Sequence, residues 1–143
     1  MTAPRLRTSI TNLFVAGRRM DVSFTERELD VMAILWDKGS ATVAEVREAL
    51  EEDFAYTTVL TVLRTLEAKG YVGHREEGKA HRYAPLVPRA AAGQSALHRI
   101  TDKVFSGSAE MLLTQLVSGR KLKPEELKRM RQLLDSRLKE ASR

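Results

Sequence analysis

The chain has no cysteine, a single tryptophan and few aromatic residues, 6% of its 143 positions. Without cysteine it cannot hold a disulfide framework, a thiolate zinc site, an iron–sulfur cluster or a cysteine nucleophile. It also lacks a long hydrophobic run. The apolar stretch near the start, Ile10 to Ala16, is interrupted by Thr11 and Asn12. That is too short and too polar for a secretory core, and far below the roughly 20 residues a membrane helix needs. A cytoplasmic protein is expected. No nucleophile stands beside a base, and there is no glycine-rich phosphate loop and no carboxylate pair outside exposed helix ends. Neither an enzyme nor a cofactor is therefore expected. His74, His81 and His98 lack the spacing of metal ligands, so no metal is expected either.

Apolar residues make up 43% and charged residues 30%, the balance of a globular protein, with a formal charge of +5. The surplus is uneven. Residues 1–24 carry four basic groups against one acidic, and 25–53 carry three against nine. Residues 54–87 carry five against three, and 88–143 carry twelve against six. Total basicity is thus a poor argument for nucleic acid, because the segment 25–53 is strongly acidic. Residues 1–23 form a basic extension with Arg5, Arg7, Arg18 and Arg19. A frayed segment ahead of the folded part is expected there, a phosphate-touching arm being the alternative.

Helix signals begin at Thr25. Thr25 and Glu28 form a capping box, with Phe24 and Leu29 at the spacing of a hydrophobic staple. Leu29, Met32, Ala33 and Trp36 follow helical periodicity, and Gly39 supplies a stop. A second box at Thr42 and Glu45 opens a shorter helix with Val43, Val46 and Leu50 on its apolar side. A third helix is expected from Tyr56 or Thr57 to Gly70. Its inward stripe is Val59, Val62, Leu63 and Leu66, and its opposite face holds Thr57, Thr61, Arg64 and Ala68, bordered by Leu60 and Thr65. That outward face has no carboxylate at its centre, which is unusual for a helix that only faces water. Tyr71–Glu76 and Ala80–Leu86, around Glu76-Glu77-Gly78-Lys79, read as a hairpin, and Trp36 and Tyr83 as core.

Helix, helix, helix, hairpin is the element order of a winged helix-turn-helix, placed over residues 24–87. After Pro88 a long helical stretch carries Leu97, Ile100, Val104 and Met111 on one face, widened by Leu112 and Leu116. Ser106-Gly107-Ser108 is expected to kink or break it. Pro124 opens a last helix with Leu127, Met130, Leu134 and Leu138 along one edge. Such stripes make a poor core alone, so residues 88–143 read as a dimerisation region, folding back onto the same chain being the alternative. The expected class is mostly α with a small β-hairpin wing, followed by C-terminal dimerisation helices.

Several segments in this order resemble the BlaI/MecI/CopY family of repressors. They are Glu28-Leu29-Asp30-Val31-Met32 with Leu35-Trp36, Ala55-Tyr56-Thr57-Thr58-Val59, and Thr61-Val62-Leu63-Arg64-Thr65-Leu66 before Lys69-Gly70. His81-Arg82-Tyr83-Ala84-Pro85 and Lys103-Val104-Phe105-Ser106-Gly107-Ser108 extend the match. The resemblance implies a homodimeric transcriptional repressor on an inverted-repeat operator with a TACA/TGTA-like core. It implies that the third helix reads DNA. Threonine there can bond a base edge while its methyl meets a thymine methyl, and Thr57 and Thr58 sit at a helix start that favours phosphate. Arg64 could reach guanine or backbone. In the wing, His74, Arg75, Lys79, His81 and Arg82 are the candidate phosphate contacts.

In the penicillinase branch of that family, a membrane sensor-protease signal leads to cleavage of the repressor. Alignment on Lys103-Val104-Phe105 puts the corresponding bond near Arg99–Ile100, where better-known members have Asn then Phe. The copper-responsive branch uses C-terminal cysteine pairs, which this chain lacks. A winged-helix interaction adaptor without DNA, and a subunit of a nucleic-acid enzyme, stand as alternatives.

Overall fold

The computed structural model describes residues 22–143, together with the backbone of two short paired strands ahead of them, β1 (Phe14–Val15) and β2 (Arg18–Arg19). The expectations for the basic extension, including the arginine side chains Arg5, Arg7, Arg18 and Arg19, lie outside the described residues. The chain continues with α1 (Glu26–Lys38), β3 (Ala41–Thr42), α2 (Val43–Ala49) and α3 (Tyr56–Ala68). Then come β4 (Val72–Glu77), β5 (Ala80–Pro85), α4 (Arg89–Val104), α5 (Ala109–Gly119) and α6 (Pro124–Ala141). No described helix is long and apolar enough to cross a membrane. Two compact units divide between His98 and Arg99, within α4.

The first unit is a winged helix. Thr25 caps α1 through its hydroxyl, which accepts from the Glu28 N–H at 3.1 Å, and Glu28 accepts from the Thr25 N–H at 2.7 Å. The buried side of α1 is Glu28, Val31, Met32 and Leu35. This is one residue back from the expected stripe of Leu29, Met32, Ala33 and Trp36. The buried carboxylate explains the rotation, because Lys69 from the end of α3 reaches both Glu28 oxygens, at 3.0 and 2.9 Å. Leu29 consequently faces solvent. Phe24 packs instead against Tyr71, ring centroids 4.8 Å apart, and edge-on against Trp36 at 6.2 Å.

The expected hairpin is present and is wider than expected. The sheet order is β3-β5-β4, all antiparallel, with Ala41 opposite Tyr83 and Thr42 opposite Arg82. Thr42 has the extended conformation of a helix N-cap, and that conformation also fits a sheet ladder. Its hydroxyl accepts from the Glu45 N–H at 3.2 Å, but the Glu45 carboxylate turns to Arg82, so the second box is only half made. Glu77 opposes Ala80 across a two-residue turn in which Gly78 has φ +62°. A glycine in the first central position suits the twist of a tight hairpin.

The core joins Val31, Met32 and Leu35 of α1 to Val43 and Val46 of α2, Val59, Leu63 and Leu66 of α3, and Val72 and Tyr83 of the sheet. The start of α4 is fastened to it. The Trp36 indole N–H donates to the Val87 carbonyl at 2.8 Å, and Ala92 is buried. The buried Ser95 hydroxyl accepts from the Val22 N–H and donates to the Val22 carbonyl, both at 3.2 Å. Arg89 pairs with Asp37 at 2.6 Å and lies over the Trp36 ring.

In the second unit, the helix break falls where Ser106-Gly107-Ser108 places it. Ser106 (φ +51°) and Gly107 (φ +82°) both leave the right-handed region, which ends α4 and turns the chain. The Ser108 hydroxyl then caps α5 by accepting from the Met111 N–H at 3.1 Å. Pro124 takes the first turn of α6, with Glu125 and Glu126 beside it. Leu112 and Met130 are half-buried, whereas Ile100, Val104, Met111, Leu116, Leu127, Leu134 and Leu138 are exposed, as is Leu97 in the part of α4 before the boundary.

Candidate nucleic-acid interface

Burial of Val59, Leu63 and Leu66 fixes the rotation of α3 and leaves Thr57, Thr61, Arg64, Thr65 and Ala68 exposed on the opposite side. Thr58 is half-buried. Leu60 is partly buried and packs against the core, so its contribution to an outward surface is small. The exposed row has a defined polarity. The Thr61 hydroxyl donates to the Thr57 carbonyl and the Thr65 hydroxyl to the Thr61 carbonyl, each at 2.9 Å. With their protons bound to the helix backbone, these hydroxyls present lone pairs and methyl groups outward. Arg64 has no ion pair among the described residues.

The start of α3 is open. Hydroxyls cap α1, α2 and α5, but the N-cap of α3 is Ala55 and no side chain caps it. The first N–H groups and the positive end of the helix dipole are therefore available to an anion. Tyr56, 44% exposed, stands at this end. Its position at the helix start marks it as a surface aromatic, a role that apolar periodicity does not reveal.

Strand alternation divides the wing candidates between two faces. His74 lies opposite Tyr83 in the register and His81 two residues before it, so both histidines share the face that carries the buried Tyr83. Arg75 and Arg82, opposite each other, occupy the other face. His74 Nδ1 and Glu67 Oε2 of α3 are 2.5 Å apart, and the His81 ring stacks on His74 at 4.4 Å and 11°. The stacked rings meet face to face instead of directing their nitrogens at one point, and no metal-holding cluster occurs among the described residues. Glu67, the partner of His74, is a feature the sequence pattern does not mark. Its spacing of seven residues crosses a helix end and a turn.

Arg82 is the most engaged of the candidates. It donates to Glu77 and to Glu45, with closest contacts of 2.9 Å to each, and approaches the Ser40 hydroxyl at 3.5 Å. Hydrogen bonds from Glu77 first, then Glu45, raise its pKa above the ordinary arginine range. The same hydrogen bonds hold the Glu45 and Glu77 carboxyls below the usual carboxylate range. Arg82 thus ties the wing to the start of α2. Arg75 and Lys79 form no ion pair among the described residues, and Lys79 is exposed at the hairpin turn. Burial, followed by the nearby Glu67 charge, pushes the Tyr83 hydroxyl up. Arg99 and Ile100 are exposed consecutive residues of α4, immediately past the boundary between the two units.

The chain is similar to several known proteins. The penicillinase repressor of Bacillus licheniformis is 24% identical over 113 residues, covering 78% of this chain and 88% of that protein. The transcriptional regulator BlaI of Mycobacterium tuberculosis is 40% identical over 97 residues, 63% of this chain and 68% of its own. Among solved structures, the DNA-binding domain of the repressor BlaI is similar with a TM-score of 0.45 at 28% identity, covering 48% of this chain and 87% of that one. A MarR variant from E. coli, complexed with operator DNA, is similar with a TM-score of 0.48 at 17% identity, covering 81% and 76%. The penicillinase repressor family model spans residues 24–136, from the α1 cap through most of α6. With that span matched, the chain belongs to the penicillinase repressor family.

Proposed function

We propose that the protein is a sequence-specific transcriptional repressor that acts as a homodimer on an inverted-repeat operator. The observation that carries this reading is the exposed face of α3, which offers Thr57, Thr61, Arg64 and Thr65 and no carboxylate. Family membership supports it, since the family and the Bacillus licheniformis relative are named as penicillinase repressors and the Mycobacterium tuberculosis relative as a transcriptional regulator. α3 lies in a major groove, where threonine methyls meet thymine methyls, hydroxyl lone pairs accept from base amino groups, and Arg64 donates to guanine or phosphate. The uncapped start of α3 meets a backbone phosphate, and Arg75 and Lys79 of the wing neutralise others.

A second copy covers the exposed leucines of α5 and α6 and the end of α4, and sets two reading helices on half-sites one DNA turn, ~34–36 Å, apart. A TACA/TGTA-like core fits the threonine chemistry. Repression follows from occupying promoter DNA. Relief by a membrane sensor-protease pathway fits the position of the Arg99–Ile100 bond, because a cut there parts the reader from most of the dimerisation helices and removes bivalency.

The test is fluorescence anisotropy of the intact protein on a duplex from upstream of its own gene, with a scrambled duplex as control. Tight binding of two chains per inverted repeat, with at least ~10³-fold preference over scrambled DNA, is expected. Equal affinity for both duplexes would sink the reading. Co-expression with the cognate sensor and inducer tests relief, where an uncut chain counts against cleavage.

A further inference from the structure

We propose that His81 is a phosphate contact that takes up a proton when DNA binds, so that operator affinity is coupled to pH through the His74–His81 stack. The inference rests on the reading of α3 and the wing as the DNA-binding face.

Three elements build the device. Glu67 comes from α3, His74 from β4 and His81 from β5. The Glu67 carboxylate lies 2.5 Å from His74 Nδ1, so its negative charge is already committed to that ring. The His81 ring lies flat on His74, centroids 4.4 Å apart and planes 11° apart. Arg64 of α3 adds positive charge close to Tyr83.

The remaining groups around the stack do not supply a strong counter-ion. Tyr83, whose hydroxyl burial pushes up, and Tyr56 offer phenol groups and no carboxylate. Glu76 faces His81 across the ladder and is exposed, and the two form no ion pair among the described residues. On the other sheet face, Glu77 and Glu45 are bound by Arg82, with Arg75 nearby. Glu28, the buried carboxylate of α1, is bound by Lys69. In the free protein, therefore, the second imidazole lacks a dedicated anion.

DNA supplies one. A backbone phosphate held against the wing adds a negative charge beside the half-buried His81 ring and favours imidazolium. Histidine is the side chain whose charge changes between about pH 5 and 8. The complex then holds more protons than the separate partners, so affinity rises as pH falls through that window and levels off below it. One coupled proton sets a limit of about tenfold in affinity per pH unit.

The probe is the duplex that the intact protein selects from a random pool, titrated from about pH 5.5 to 8.5 at constant ionic strength. Wild type should bind more tightly by several-fold to tenfold on going from pH 8 to pH 6, with proton uptake visible as a buffer-dependent binding enthalpy. H81Q should lose most of this pH dependence, whereas H98Q should retain it. NMR titration of His81 in wild type, free and bound, provides a second measurement that needs no variant, and its midpoint should rise on binding. Equal pH slopes in wild type and H81Q, or an unmoved His81 midpoint, would overturn the coupling. Failure to select any sequence at any pH would instead overturn the DNA-binding reading itself.

Discussion

Lys69 Nζ holds both carboxylate oxygens of Glu28, at 3.0 and 2.9 Å, and so ties the end of α3 to the start of α1. The same carboxylate closes the capping box on the Thr25 N–H. Its side chain is only 5% exposed, whereas Lys69 is 39% exposed. Burial pushes the Glu28 carboxyl up, but hydrogen bonds from Lys69 and Thr25 and the Lys69 charge outweigh it and hold the pKa below its ordinary value. Removal of Lys69 leaves a buried carboxylate without its cation, so K69A should cost about 1–3 kcal/mol, read by urea unfolding at pH 7. The pH dependence follows in sign. A lowered folded pKa gives stability that is present above the ordinary carboxylate pKa of about 4.3, and it is lost as pH falls through the lower folded value. E28Q should be less stable than wild type at pH 7 and lose less stability between about pH 5 and 3. Parallel pH profiles for the two proteins would contradict this.

The threonine row of α3 makes a prediction about chemistry as well as place. T61A and R64A should weaken operator binding by about 1–3 kcal/mol each while leaving the melting temperature nearly unchanged, since both side chains are exposed. T61V keeps the methyl and loses the lone pairs, so it separates the two contributions. If the methyl carries the contact, T61V binds better than T61A, and replacing thymine by uracil in the operator abolishes that advantage. Unchanged gel-shift affinity for both T61A and R64A would remove α3 from the interface.

Lys79 and Arg82 should behave differently despite their shared charge. Lys79 is exposed at the hairpin turn without an ion pair, whereas Arg82 bridges Glu45 and Glu77. K79A should therefore reduce the slope of log K against log salt by about 0.9 for each phosphate that Lys79 neutralises, with no change in stability. R82A should lower the melting temperature and release the two carboxylates, and its effect on affinity should come through a loosened wing. An R82A protein as stable as wild type, with a salt slope cut as far as in K79A, would show that Arg82 leaves its partners to meet phosphate.

Local signals made most of the fold readable. Thr25–Glu28, Gly39, Gly78 and Pro124 act within a few residues, and each begins or ends an element where its chemistry requires. The outward row of α3 was likewise readable, because four inward apolar residues define the opposite side. What periodicity missed depends on partners far along the chain. The buried side of α1 turned toward Glu28 because Lys69, forty-one residues later, satisfies it. β3 exists because Thr42 finds a ladder partner in Arg82. The wing candidates separated for the same reason. Alternation assigns faces, but only the fold shows that Glu67 takes one cation candidate and Glu45 with Glu77 another.

The exposed leucines of α6 provide the last prediction. Leu134 and Leu138 are one turn apart on a helix with no buried residue, 53% and 66% exposed. Wild type should sediment as a dimer, and the double substitution L134E/L138E should sediment as a monomer, because each glutamate would need to be desolvated in an apolar contact. The winged domain should keep its helical signal and its melting transition, since its core draws on neither leucine. Operator affinity should nevertheless fall by about 10²–10⁴, the contribution of tethering two readers to one site. Affinity for an isolated half-site should stay the same. That contrast is decisive, because a variant that had merely misfolded would lose both, and a variant that remained dimeric would lose neither.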